Sequence, residues 1–212
     1  MSNSLTLSSL PLFPLGAVLF PGGLLPLRIF EVRYLDMIAR CHKAGAPFGV
    51  VSLTQGSEVL QANGQAESFS DVGTLARITG LETPQPGLML VRSEAAQRFR
   101  ITQRQRLRHG LWIADVCRLD DDVPVAVPED LQETARALGR LIESLKQRTA
   151  PDGRLPLIPP YRLDDCGWVA NRWCELLPLP LKLKQQLMEL ENPLIRLELI
   201  SDVLSRTGIA SE

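Results

Sequence analysis

Residues 10–30 read LPLFPLGAVLFPGGLLPLRIF, an apolar stretch broken repeatedly by proline and glycine. The triplet at 21–23, Pro-Gly-Gly, is a strong turn signal, so we expect a short buried strand at 16–20 and a second strand at 25–30. The proline inside the second strand favours a sheet edge or a strand start. From residue 31 to 44 the apolar spacing becomes that of a helix, which Gly45 can end.

The remainder of the chain continues first with strands and then with helices. Strands are predicted at 48–53, 75–79, 88–91, 97–108 and 111–119, with a turn at 84–87. Short strands separated by turn signals are typical of a small closed or half-closed barrel. The composition changes at DDDVP, residues 120–124. Four amphipathic helices are predicted beyond it, the second capped by Asp164 or Asp165 and the last two opened by Pro180 and Pro193.

The sequence therefore predicts an α+β protein with two parts. Residues 1–120 form a β-rich module carrying one helix, and residues 121–212 form a bundle of four helices. The chain of 212 residues has 45% hydrophobic residues and a formal net charge of -1, which is typical of a globular protein. The uncharged residues 1–27 contain too many prolines and glycines to cross a membrane, and no basic segment precedes them as a secretory signal requires. We expect a cytoplasmic protein.

Catalytic and metal-binding motifs are missing from the sequence. There is no G-x-x-x-x-G-K-[ST] and no G-x-S-x-G, and the two histidines, His42 and His109, stand apart. The four cysteines form no C-x-x-C pair, so we interpret them as small buried hydrophobic residues. The run Asp120-Asp121-Asp122 lacks the spacing of a calcium loop and is interpreted as a solvated linker. We therefore predict no enzyme, no metal and no cofactor.

One basic segment, RFRITQRQRLR from residue 98, is a candidate nucleic-acid site. On a regular strand a period of two would place its five arginines on one face, where they could contact phosphates. The change from Phe99 and Ile101 to Gln103 and Gln105 predicts instead a bend that scatters them. The candidate residues of this alternative are Arg98, Arg100, Arg104, Arg106 and Arg108.

An ordered series of segments resembles the N-terminal substrate-recognition domain of the Lon family of ATP-dependent proteases. Residues 10–38 look like its signature, a Pro-Leu-Phe-Pro start, an apolar strand, Pro-Gly, and then Pro-Leu-x-Ile-Phe-Glu-x-Arg-Tyr. FGVV at 48–51, VGTLARI at 72–78 and QRFRI at 97–101 are similar to its later strands, and residues 179–199 to its last helices. The resemblance covers residues 8–206.

This resemblance implies a fold of the kind called PUA-like, a pseudo-barrel followed by a helical bundle, with no catalytic residue of its own. Ala95 stands where the family commonly has glycine, so we expect a differently shaped hairpin turn there. A full-length Lon continues into an ATPase and a Ser-Lys protease, whereas the sequence ends at Glu212, so we expect a stand-alone bacterial Lon-domain protein. The implied partner is an unfolded polypeptide or another protein.

The turn at 20–25 is the candidate contact surface for that partner. Leucines beside a tight turn are difficult to bury completely, and an exposed apolar patch usually marks a partner site. An edge strand could also accept an extended peptide by strand addition. The candidate residues are Phe20, Pro21, Leu24 and Leu25.

Overall fold

The computed structural model describes residues 6–56, 67–148 and 155–207. The chain divides into two compact units, Met1–Asp121 and Asp122–Glu212. In its described part the first unit contains six strands and one helix. They are β1 (Thr6–Leu15), β2 (Leu24–Ile29), α1 (Val32–Ala44), β3 (Phe48–Gln55), β4 (Ser68–Gln85), β5 (Leu88–Arg106) and β6 (Trp112–Arg118).

The sheet of the first unit closes on itself. Its strand order is β2-β5-β4-β3-β1-β6, and an additional pairing joins β5 to β6. Five strands thus form a ring, while β2 pairs with the first half of β5. Between these two pairings the register of β5 against β4 shifts from Ala95 to Arg98, where one extra residue of β5 bends the strand. A second shift, against β6, lies between Ile101 and Gln103. The α+β fold predicted from the sequence is confirmed.

Two glycines allow the ring to close around Phe99, which is fully buried. A Cβ at Gly49 would lie 2.8 Å from the Phe99 ring, and a Cβ at Gly73 would lie 2.7 Å from the same ring. At Gly73 the added atom would also lie 2.3 Å from the carbonyl oxygen of Val50. Both strands therefore need glycine because the aromatic ring and a neighbouring backbone occupy the space of a side chain.

Helix α1 covers one side of this sheet. Its inward residues Tyr34, Met37 and Ile38 join a core cluster with residues of β1, β3 and β5. The rings of Phe13 and Tyr34 meet edge to face with centroids 4.1 Å apart. The helix ends at Gly45, whose φ of 61° is left-handed, as the sequence predicts.

Three details differ from the sequence prediction. Residues 16–20 are not a strand; β1 ends at Leu15, and the Leu19 carbonyl oxygen accepts a hydrogen bond from the Thr74 hydroxyl at 2.6 Å instead of from a ladder. The segments 88–91 and 97–108 belong to one continuous strand, β5. Ala95 lies within that strand and exchanges hydrogen bonds with the turn at Gly22 and Gly23, so it shapes no hairpin of its own.

The second unit is helical in its described part. It contains a short 3-10 turn (Glu129–Leu131), α2 (Gln132–Arg148), α3 (Cys166–Leu176), α4 (Leu181–Glu189) and α5 (Pro193–Thr207). The Asp165 carboxylate caps α3 by accepting from the backbone N–H of Trp168 at 2.8 Å, as predicted. Within the described residues, none of the helices is long and apolar enough to cross a membrane.

A buried arginine organises this unit. Arg196 on α5 donates to the Asp122 carboxylate at 2.5 Å, to the Asn171 amide oxygen at 3.0 Å and to the Leu187 carbonyl oxygen at 2.9 Å. The interpretation of the aspartate run as a solvated linker is therefore wrong for Asp122. Its charge neutralises a cation that would otherwise be buried without a counter-ion.

Candidate functional site

The four residues of the predicted contact surface lie in different environments. Phe20 is fully buried, so it belongs to the interior and cannot contact a partner. Leu25 is half-buried and packs against the core cluster beside α1. Pro21 and Leu24 remain partly accessible. The structure thus separates this turn into an inward pair and an outward pair, and the outward pair adjoins a larger surface.

That surface is the side of β2, β5 and β4 that faces away from the core. Side chains alternate along a strand, and because Leu27 and Val91 point into the core cluster, their neighbours point outward. The register places the outward residues in three rows across the strands. The rows, which we call the outer face, are Leu24–Glu94–Arg77, Pro26–Arg92–Gly80 and Arg28–Leu90–Glu82.

Large apolar side chains are exposed on and beside the outer face. Leu90 is 39% exposed, Phe30, which follows β2, is 57% exposed, and Val32 at the start of α1 is 74% exposed. Leu24 adds partly accessible apolar area at the other end of β2. Apolar residues grouped in this way mark an interaction surface more often than isolated ones do.

Most charged residues of the outer face have an opposite charge as a neighbour. Arg92 donates to Glu82 at 2.9 Å, and its guanidinium covers Gly80, where a Cβ would lie 2.5 Å from its nitrogen. Arg77 and Glu94 oppose each other across the ladder. Arg28 differs because it is exposed, no described residue forms an ion pair or a side-chain hydrogen bond with it, and Leu90 instead of a carboxylate lies opposite it in the ladder.

Strand β2 forms the edge of this surface, since within the described residues it pairs with β5 alone. The Ala95 N–H donates to the Gly23 carbonyl oxygen at 2.8 Å, which fixes the alternation of the ladder. The backbone N–H and C=O groups that point toward β5 are therefore those of Leu25, Leu27 and Ile29. The backbone groups of Leu24, Pro26 and Arg28 face away, and Pro26 lacks an N–H there. The open edge is therefore interrupted at its centre.

The five arginines of the alternative site do not share a face. Arg98 is buried and donates to the Asp120 carbonyl oxygen at 3.2 Å. Arg104 pairs with Asp71 at 3.3 Å and lies over the Phe69 ring, and Arg106 lies over the Trp112 ring. Arg100 and Arg108 are exposed. The predicted bend is the cause, because the register of β5 shifts between Ile101 and Gln103.

A buried polar cluster supports the corner between β2 and α1. Arg33 donates to Glu31 at 3.1 Å, to Glu67 at 3.2 Å and to the Gly110 carbonyl oxygen at 2.9 Å. Glu67 also accepts from the indole N–H of Trp112 at 2.8 Å. Arg33 therefore pairs with carboxylates, and its contacts connect the start of α1, beside Phe30 and Val32, to Glu67 and Gly110.

The ionisable groups near this corner suit a structural role. Burial raises the pKa of the Tyr34 hydroxyl, with the adjacent Arg33 lowering it in part, so this phenol stays neutral. Burial also raises the pKa of the Cys41 thiol, which disfavours the reactive thiolate. In the described ranges no three His, Cys, Asp or Glu residues lie close enough to hold a metal ion.

Sequence reasoning missed the residues that carry the outer face, namely Arg28, Phe30 and Leu90. The run Leu88-Met89-Leu90-Val91 is apolar throughout, so it gives no alternation from which an outward residue could be identified. Phe30 was visible as an aromatic residue at a strand-to-helix corner, but such corners are usually scaffold. Only the register across β2, β5 and β4 brings the three residues together.

Comparison with known proteins agrees with the fold. Residues 9–206 match the family model of the ATP-dependent protease La (LON) substrate-binding domain. The crystal structure of a Lon N-terminal domain protein from Xanthomonas campestris is similar, with a TM-score of 0.71 and 28% identity over 92% of this chain and 98% of that one. The N-terminal domain of a Mycobacterium avium complex Lon protease shares the fold, with a TM-score of 0.59 and 18% identity over 96% and 98% of the two chains. No curated protein matches significantly.

The family model spans nearly the whole chain, and the resemblance inferred from the signature segments is confirmed. The chain belongs to the family of Lon substrate-binding domains.

Proposed function

We propose that this protein recognises polypeptides and binds segments of unfolded chain through the outer face. Family membership supports a substrate-recognition module. The observation that carries the finer proposal is the exposure of Phe30 and Leu90 at one end of the outer face, with Leu24 partly accessible at the other end, on strands that pack from behind against the core.

The chemistry of the surface fits an unfolded segment better than a folded partner. Unfolded chains present leucine and aromatic side chains that folded proteins bury. Such side chains can cover Phe30 and Leu90, removing apolar area from water at roughly 25 cal/mol per Å². The interrupted edge of β2 limits strand addition, so contact through side chains on the face supplies most of the binding.

The test measures binding to an unfolded client, reduced and carboxymethylated α-lactalbumin, by isothermal titration calorimetry. We expect saturable binding with a negative heat-capacity change, and no binding to the same client in its folded form. The double substitution Phe30→Ser and Leu90→Ser removes two of the exposed apolar side chains without entering the core. It should weaken binding about tenfold or more.

A matched control is available on the second unit. Ile195 and Leu199 on α5 are 44% and 45% exposed, so Ile195→Ser with Leu199→Ser removes comparable apolar exposure elsewhere. This control should bind the client as the unmodified chain does. Equal loss in both double variants would indicate nonspecific stickiness, and no loss in the first would refute the site. Substituting Leu25 is not informative because its side chain packs on the core.

A further inference from the structure

Arg28 occupies a special position on the outer face. It is exposed, lies directly opposite Leu90 in the ladder, and precedes Phe30 by two residues. No described residue forms an ion pair with it, and Glu82, two strands away in the same row, is paired with Arg92; Arg77, in contrast, lies directly opposite Glu94. Within the described rows of the outer face, Arg28 is therefore the arginine that faces an apolar side chain, Leu90, where the others have a carboxylate as a direct neighbour or ion-pair partner.

Covering this charge has an energetic consequence. A purely apolar segment lying over Leu90 and Phe30 would strip water from the guanidinium without replacing its hydrogen bonds, which is unfavourable. A carboxylate in the segment restores those bonds in the planar, two-pronged geometry that arginine favours. A lysine or arginine in the same place adds repulsion.

We propose that Arg28 makes the outer face selective for extended polypeptide segments in which a carboxylate stands next to apolar side chains. This inference rests on the proposed function and names the class of segment bound. Residues two apart on a strand are separated by about 7 Å, so the carboxylate and a leucine or aromatic residue of the bound segment lie at a similar spacing.

The surrounding charges favour a peptide carboxylate over a nucleic-acid backbone. Glu82 and Glu94 are exposed members of the outer face and lie on β4 and β5, on the side of Arg28 away from the open edge. A single carboxylate can approach Arg28 from the open edge of β2, whereas a strand carrying a phosphate at every nucleotide and lying across the outer face would meet both glutamates. The charges around Arg28 therefore favour a peptide with one carboxylate over a nucleic-acid strand with many phosphates.

The experiment compares three fluorescent twelve-residue peptides that share an apolar host sequence and differ only at a central Asp, Asn or Lys. Affinities are measured by fluorescence anisotropy with the full chain. We expect the Asp peptide to bind about five to ten times more tightly than the Asn peptide, and the Lys peptide to bind most weakly. The preference should shrink as salt is raised.

Variants of Arg28 give the decisive measurement. For each variant, the affinity for the Asp peptide is divided by its affinity for the Asn peptide. Arg28→Gln should bring the Asp-to-Asn ratio close to one, and Arg28→Glu should reverse the order so that Lys binds best. The control is Arg40→Gln, which removes an exposed arginine of α1 that is not part of the outer face. This variant should keep the original ratio.

The outcomes separate the two proposals. If none of the peptides binds, the proposed function fails and the selectivity fails with it. If all three bind equally, or Arg28→Gln keeps the preference, only the selectivity is refuted. A single-stranded oligonucleotide that displaces the Asp peptide, and does so through Arg28, would assign this arginine to phosphate instead.

Discussion

The guanidinium of Arg33 donates to the carboxylate of Glu67 at 3.2 Å, joining two buried residues that lie 34 positions apart in the chain. Their side chains are 4% and 6% exposed. The pair links helix α1 to the approach to β4, and Trp112 extends it to β6. Because both side chains are buried, each charge needs the other to offset the free-energy cost of its removal from water.

Removing one partner should therefore be costly. We expect Arg33→Met to destabilise the first unit by about 3 kcal/mol or more, because Glu67 is left buried without its cation. Hydrogen exchange of the β5 and β6 amides measures this unit separately from the helical one. Arg40→Met on the exposed face of the same helix is the control and should change little. Similar small effects for both would show that the pair adds nothing to stability.

The contact between Gly73 and Val50 predicts a second effect. An alanine Cβ at position 73 would lie 2.3 Å from the Val50 carbonyl oxygen, so the backbone of β3 or β4 must move. We expect Gly73→Ala to destabilise the first unit by about 3 kcal/mol. Gly87→Ala separates crowding from backbone strain, since its φ is 79° and no atom lies within 4 Å of the added Cβ. It should cost only about 1 kcal/mol.

Local signals in the sequence were enough to predict several elements. Gly45 ends α1 because a left-handed residue without a side chain is favourable there, and Asp165 caps α3 through a hydrogen bond three residues away. Pro26 was correctly associated with an edge strand because it cannot donate to a ladder. Each of these depends on chemistry within one turn of the chain.

The candidate surface could not be predicted in the same way. The apolar run at 16–20 looks like a strand, but Leu19 and Phe20 are buried by tertiary packing without a ladder. The outward direction of Leu90 follows from its register with Arg28 and Glu82, which depends on pairings between distant segments. The closure of the sheet between β5 and β6 likewise becomes visible only in three dimensions.

The interrupted edge of β2 leads to a third prediction. Pro26 presents no N–H at the centre of the open edge, and natural sheets use proline at such positions to prevent strand pairing between molecules. Pro26→Val restores the donor and a side chain that favours strands, so we expect concentration-dependent association. Light scattering after size-exclusion chromatography measures the mass. Pro86→Val, in the turn between β4 and β5, should behave as the unmodified chain does. An unchanged mass for Pro26→Val at all concentrations would contradict this role.

A largely buried carboxylate in the helical unit, Glu175, predicts a pH dependence. Burial raises the pKa of Glu175 to about 7, and the nearby Arg172, 3.0 Å away, together with Lys184, lowers it only in part. The folded unit therefore holds a proton that the unfolded chain has released above about pH 4.5. Because the folded state binds this extra proton, the free energy of unfolding falls as the pH rises from 4.5 to 7. Below and above that range, Glu175 contributes no pH dependence to the free energy of unfolding.

Glu175→Gln should remove this dependence because glutamine stays neutral at every pH. The measured quantity is the free energy of unfolding of the glutamine variant minus that of the unmodified chain. This difference should increase by up to about 3 kcal/mol between pH 5 and pH 8. Urea unfolding at pH 5, 6, 7 and 8, followed by the fluorescence of Trp168 and Trp173 with Trp112 replaced by phenylalanine in all variants, measures the change. Glu198→Gln, an exposed substitution on α5, should leave the slope in place. If the slopes of the Glu175 variant and the unmodified chain agree, Glu175 is already ionised in the folded unit at pH 5, and its pairing with Arg172 outweighs its burial.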